Sequence, residues 1–485
     1  MYTGGAPQPA QDLSEAAPLH ERYLWGIASV AALGGLLFGY DWVVIGGAKP
    51  FYEAYFHLYS ESLVGWANSC ALIGCLLGSL AAGALSDHFG RKPVLIGAAI
   101  LFPLSSLCTG WAHLFSTFIA WRIAGGLAIG LASNVSPTYI AEISPARSRG
   151  RMVSLNQLAL VIGILAAQIV NWAIAEKVPE NAGARIGTGI GASIMEQSWN
   201  AQYGWRWMFT AVAVPGVIFL FTALWIPESP RWLITRGMHA RALATLARIG
   251  GQHYAEAEQR QILAAVSTEL REKSEWRELL MPGLRRVLMI GIVLAVLQQW
   301  SGINILFNYA EEIYRGAGYG MSEVLFNIVI TGAINLIFTL VAMASVDRFG
   351  RRSLMLFGCA GVGLSHLLAA LAYLRGLHGM AVLLLTLCAI ACYAVSLAPV
   401  TWVLITEIFP NRVRGMAVSI SVSSLWTSSF ILTYTFPLLN RALGTGGTFF
   451  CYAVVCILGG LFVFVFVPET KGRSLEQIGN SVIRS

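Results

Sequence analysis

Two ionisable side chains stand where a lipid-compatible sequence tolerates few. Asp41 lies in the apolar run 24–48 and Arg122 in the apolar run 115–138. An ionised group in the middle of a membrane span costs at least about 2.5–3.5 kcal/mol on insertion scales, so such groups turn toward a cavity and find one another. A carboxyl whose guanidinium partner comes and goes with conformation binds a proton in one state and loses it in another. That chemistry is proton translocation; the bland alternative is a static structural ion pair.

A second set of residues could bind a solute. Gln298, Gln299, Asn304, Asn308 and Asn335 place amides inside apolar runs, where donors and acceptors must be satisfied within the protein or by a ligand. The spacing from Gln298 to Asn304 and Asn308 suits one face of a helix, and Gly302 permits local unwinding between them. Trp402 and Trp426 offer flat apolar rings. Amides for hydroxyls and rings for a C–H face suit a polyhydroxylated ring such as a pyranose. Helix–helix hydrogen bonds and core packing are the structural alternatives.

The elements that must carry these groups are membrane spans. The chain has 485 residues, 56% hydrophobic and 12% charged, with a net charge of +7 and a mean hydropathy of +0.65. Ordinary soluble domains carry about 25% charged residues, so the apolar excess calls for lipid. Basic residues fall in short clusters between apolar runs, which argues against a nucleic-acid face. Runs of about 20 apolar residues suffice to span. They occur at 24–48, 62–86, 93–112, 115–138, 152–175 and 206–226, and again at 286–309, 323–345, 353–374, 380–404, 415–438 and 447–467. The expected fold is an all-α membrane protein of twelve spans in two halves, 23–227 and 285–467. A helical insert over 228–284 separates them, with a flexible tail over 1–22 and a short tail over 468–485. Clustering of Arg91, Lys92, Arg147, Arg149, Arg151, Arg348, Arg351, Arg352, Arg412 and Arg414 in short loops puts those loops and both termini in the cytoplasm. Lys49, Lys177, Arg315 and Arg441 fall on the opposite side. The eight cysteines lie in apolar runs and read as buried structural thiols, without metal-site spacing. Gly74-xxx-Gly78 and Gly126-xxx-Gly130 suit close helix approach, and Pro137, Pro399 and Pro437 suit kinks.

The halves repeat. Asp87-His-Phe-Gly90-Arg91-Lys92 returns as Asp347-Arg-Phe-Gly350-Arg351-Arg352, and Glu142-Ile-Ser-Pro-Ala-Arg-Ser-Arg149-Gly150 returns as Glu407-Ile-Phe-Pro-Asn-Arg-Val-Arg414-Gly415. With Pro227-Glu228-Ser-Pro-Arg231-Trp, Pro468-Glu469-Thr-Lys-Gly and Gln298-Gln299-Trp-Ser-Gly-Ile-Asn304, the chain resembles, over nearly its whole length, the sugar porters of the major facilitator superfamily. The likeness is to bacterial proton-coupled xylose and glucose symporters. Two pseudo-symmetric halves rocking about a mid-membrane site are what such a repeat means physically.

The resemblance implies several roles. Phe38-Gly-Tyr-Asp41 is similar to the first helix of proton-coupled members, with Arg122 at the matching fourth-helix position. Phe38, Gln157, Gln298, Gln299, Asn304, Asn335, Trp402 and Trp426 fall on sugar-contact positions. Asp87, Arg91, Glu142, Arg149, Glu228, Arg231, Asp347, Arg351, Glu407, Arg414 and Glu469 form a cytoplasmic salt-bridge latch that stabilises the outward-open state; the alternative is simple topological anchoring. There are departures. Val212 stands where a second carboxylate occurs, Leu425 where an amide usually precedes the Trp, Asn308 where a Tyr is common and Ala398 where a Gly is common. Ile164 and Phe307 look more like glucose-carrying members. The implied activity is import of a monosaccharide with a proton, glucose favoured and xylose open, by a monomer in the cell inner or plasma membrane. No cofactor or metal is implied. A facilitative uniporter, a sugar-sensing receptor and a carrier of polyols or organic acids are the rivals; an enzyme lacks any nucleophile–base pair or phosphate loop.

Overall fold

The computed structural model describes residues 19–177, 190–271, 276–377, 379–410 and 413–469. Apolar runs bounded by polar turns become long helices because lipid leaves the backbone no other partners than its own. The first five spans are Glu21–Tyr55, Glu61–Phe89, Arg91–Gly110, Phe115–Ile143 and Arg149–Ile174. The sixth, Asn200–Ala223, begins with a π turn over Asn200–Gly204 and is interrupted again at Ala211–Val212. Beyond the insert come Pro282–Asn308, Met321–Ser345, Arg351–Leu374 and Met380–Glu407. One helix, Arg414–Phe466, holds the last two spans, divided at Gly444 where φ is +69°. The chain thus crosses twelve times, in an all-helical fold with no strand among the described residues. Large apolar side chains such as Leu77, Leu80, Phe221, Trp225, Leu364 and Leu461 face outward, as a protein solvated by lipid requires.

Small residues let the helices close up. A side chain at Gly74 or Gly78 would run into the backbone at Ile123 or Leu127, and one at Gly126 or Gly130 into the backbone at Ala71 or Cys75. The second and fourth spans therefore touch backbone to backbone along both motifs. Pro399 stands just past a break at Ser396, whereas Pro137 and Pro437 lie inside unbroken helix. Four cysteines are buried, Cys70, Cys75, Cys359 and Cys456, but Cys388 is exposed, so the expectation of uniform burial fails on the lipid-facing side.

The first span runs past its expected end. Hydropathy stops it at residue 48, yet the helix continues to Tyr55 and buries Lys49, which is only 2% exposed. Lys49 is no loop charge, because carboxylates from another span surround it. The seventh span is unwound at Gly302, whose φ of +83° is a left-handed conformation that suits glycine. The freed carbonyl of Ser301 is taken by His366 of the ninth span, 2.8 Å away. The insert, Pro230–Thr235 and His239–Arg271, lies at the end of the bundle where the first span begins: the His20 amide donates to the Ile249 carbonyl at 2.7 Å.

Candidate functional site

The first and fourth spans bring Asp41 and Arg122 together. Arg122 Nη1 donates to Asp41 Oδ1 at 3.0 Å, and both residues are almost fully buried. The guanidinium also lies 5.3 Å from the ring centroid of Phe209. The second carboxylate oxygen, Oδ2, has no hydrogen-bond partner among the described residues. The pair is therefore held by one bond, and the carboxylate keeps a spare lone-pair face. Val212 is fully buried at the break in the sixth span.

A cavity of about 10 Å³, the size of one water, touches Arg122 and is lined also by Trp42, Asn68 and Asn308. Asn68 Oδ1 and Asn308 Oδ1 are buried without a protein partner. Arg122 of one half and the seventh span of the other thus share a polar space.

The seventh span also carries solute-binding candidates. Gln299 Nε2 donates to Gln298 Oε1 at 2.9 Å, and Asn304 Nδ2 donates to Gln299 Oε1, so three amides form one chain across the break at Gly302 in the seventh span. Across from them Phe38, Trp42 and Trp426 make a ring cluster with centroids 5.8 to 5.9 Å apart. The indole Nε1 of Trp426 is buried and unpartnered. Trp42 was not singled out by sequence reasoning; the signal was there, since it adjoins Asp41 on the helix that carries Phe38. Gln157 is half-buried on the fifth span and Asn335 is buried on the eighth. A second missed amide joins those spans: Gln168 is 1% exposed, with Nε2 3.5 Å from Thr331 Oγ1. Trp402 and Ala398 are half-buried on the tenth span, outside the ring cluster described. Ile164, Phe307 and Leu425 are buried.

The charged loop motifs gather at the insert end, in two matching clusters. Arg91 grips Glu142 through Nη2 at 3.0 Å and Nε at 2.9 Å, and meets Asp87 at 3.1 Å. Glu228 accepts from the backbone amides of Arg91 and Lys92 at 3.0 and 3.2 Å. In the second half Arg351 Nη2 meets Glu407 at 3.4 Å, and Glu469 accepts from the amides of Arg351 and Arg352 at 2.9 and 3.2 Å. Both carboxylates sit at helix N-termini, where the unpaired amides and the helix dipole attract an anion. Gly90 and Gly350, at φ of +104° and +85°, make the two tight turns that allow it. Burial pushes the Glu228 carboxyl up, opposed by the amides of Ser229, Lys92 and Arg91. Arg149 donates to the Ser144 carbonyl and Arg414 to the Phe409 carbonyl, again matching. The pairs described join helices of one half. Arg231 is half-buried there, and the side chain of Asp347 lies outside the described residues.

Comparison with known proteins gives the arrangement its relatives. Residues 27–481 match the model of the family described as sugar (and other) transporter. The D-xylose-proton symporter of Escherichia coli is 35% identical over 490 residues, 95% of this chain and 96% of that protein. A glucose transport protein of Synechocystis is 38% identical over 471 residues, 94% of this chain and 97% of its own length. The inward-open structure of the xylose transporter XylE from E. coli superposes with a TM-score of 0.82 at 34% identity, covering 95% of this chain and all of that one.

Proposed function

The chain belongs to the sugar transporter family of the major facilitator superfamily, is a multi-pass membrane protein and is not an enzyme, and from that premise we propose that it imports a monosaccharide together with a proton by alternating access. One observation carries the reading: Asp41 and Arg122 pair inside the bundle, and Arg122 lines a small cavity together with Trp42 of the ring cluster and Asn308 of the seventh span. A proton on Asp41 releases Arg122 and changes the packing of the first span against the seventh, so solute binding and protonation act on the same pair of helices. Phe38, Trp42 and Trp426 form the apolar wall of the solute site, and Gln298, Gln299, Asn304, Gln157 and Asn335 meet its hydroxyls. An elementary charge moving down about 100 mV supplies roughly 2.3 kcal/mol, close to fifty-fold accumulation of a neutral sugar.

The favoured solute is an aldohexose such as glucose, with xylose next. Ile164 and Phe307 support the hexose. Leu425 removes a hydroxyl partner, and specificity built from hydrogen bonds changes steeply with one such residue. The loop clusters lie on the cytoplasmic side with both termini, and act as the latch of the outward-open state. The meeting of the first and seventh spans at the far end supports a closed outer side for this structure. The chain works as a monomer.

Uptake of radiolabelled glucose and xylose into proteoliposomes, with and without an imposed pH gradient, tests the reading. Accumulation above equilibrium only with the gradient is expected. Val212, in place of a second carboxylate, favours the rival reading of a facilitative uniporter, which equilibrates the sugar regardless of the gradient.

A further inference from the structure

At the end of the bundle away from the insert, the first and seventh spans are joined by charge. Lys49 Nζ lies 3.1 Å from Glu53 Oε1 and 3.7 Å from Glu311 Oε2, and it also pairs with Glu312 Oε1. Arg315 Nη1 holds Glu311 Oε1 at 2.9 Å. Lys49 and Glu53 belong to the first span and the other three to the helix Ala310–Gly316 that extends the seventh. Its centre is dry, with Lys49 2% exposed and Glu53 5%, while Glu312 and Arg315 are partly exposed at its edge. Around it, Glu61 at the start of the second span acts on Glu53, and Arg122 of the fourth acts on Tyr52. Tyr309 turns its ring toward Lys49 at 5.5 Å.

Three carboxylates face two cations here, which leaves one negative charge uncompensated. Glu312 Oε2 and the Tyr52 hydroxyl are buried without a hydrogen-bond partner, and Glu53 Oε1 has only the Lys49 ammonium at 3.1 Å beside it. A buried carboxylate in excess is costly enough to take up a proton instead of remaining ionised. We propose that this cluster is a proton-binding site, formed as the outer ends of the first and seventh spans close and holding one proton shared between Glu53 and Glu312.

The proposal rests on the alternating-access reading only for what closing means. When the spans separate, Glu53 and Glu312 are hydrated like free glutamates, which titrate near about 4.3 and are ionised at neutral pH. The closed form binds one proton more, so falling pH favours closure, by up to tenfold per pH unit. The proton comes from the outer medium, and returns to it on reopening. The site also lies on the helices that carry Asp41 and Asn308, so external acid loads the closed state of the machinery that handles the solute.

Hydrogen exchange of the full-length, unmodified protein in nanodiscs, without sugar or gradient, tests this. Amides over 49–59 and 309–320 are followed from pH 6 to 8 after correction for intrinsic rates. Protection in the wild type should fall toward high pH by up to tenfold per unit. Glu312→Gln, at the most accessible carboxylate, should keep protection and lose the pH dependence. A flat wild-type profile overturns the proposal, as does a slope that survives in Glu53→Gln and Glu312→Gln alike. Since no transport is measured, failure of the symport reading leaves these outcomes intact.

Discussion

Residue by residue, the proton pair and the amide chain do different work, and substitutions separate them. Asp41→Asn removes the titratable group but keeps size and one hydrogen bond to Arg122. It is expected to abolish uphill uptake in proteoliposomes while counterflow exchange stays measurable; full concentrative uptake by this variant would take Asp41 off the proton path. Gln298→Ala deletes an amide that is already hydrogen-bonded to Gln299 and leaves a sugar hydroxyl unpaired, which costs about 1–3 kcal/mol. Its KM for the sugar should rise roughly five- to a hundred-fold, and the pH dependence of uptake should stay that of the wild type. These candidates were legible in the sequence because lipid makes every polar group in a span conspicuous. Trp42 carries no such mark beyond its place beside Asp41, and Gln168, an amide in the fifth apolar run, carries the same mark as the others but was passed over; its contact with Thr331, 163 positions away, is seen only in the fold.

Elements are where reading from hydropathy both succeeds and slips. Span existence is set by the bilayer, and the twelve runs all became helix. Span ends are set by pairing across the bundle, which no local window sees. The first helix outlasts its apolar run by burying Lys49 against Glu311 and Glu312, and Asp87 and Arg91 end and begin helices through their loops. The unwinding at Gly302 was foreseen from residue type, but the partner that makes it tolerable, His366 on the Ser301 carbonyl, is contributed by another span. A left-handed conformation at a non-glycine residue costs about 1–2 kcal/mol, and a side chain there would also press on Tyr452 and His366. Gly302→Ala should therefore lower the melting temperature in detergent and impair transport, whereas Gly83→Ala, in open space, should leave both unchanged.

For the whole molecule, the duplication makes a quantitative claim. Arg91, Glu142 and Glu228 build in one half what Arg351, Glu407 and Glu469 build in the other, down to the paired amides at a helix N-terminus. If these clusters latch the inner side shut in the outward-open state, weakening either one biases the same equilibrium in the same direction. Loss of one charge-assisted hydrogen bond is worth about 1.5–3 kcal/mol, roughly a ten- to a hundred-fold change in the ratio of the two states. Glu142→Gln and Glu407→Gln should each favour the inward-open form, seen as weaker sugar binding from the outer side and faster hydrogen exchange over 141–152 and 406–410. Because the two clusters sit in different halves and share no described partner, the double variant should combine the two effects nearly additively. Single variants that move the equilibrium in opposite directions, or not at all, would reduce these charges to anchors of topology. The repeated motif would then be a record of duplication and not a working part of the access cycle.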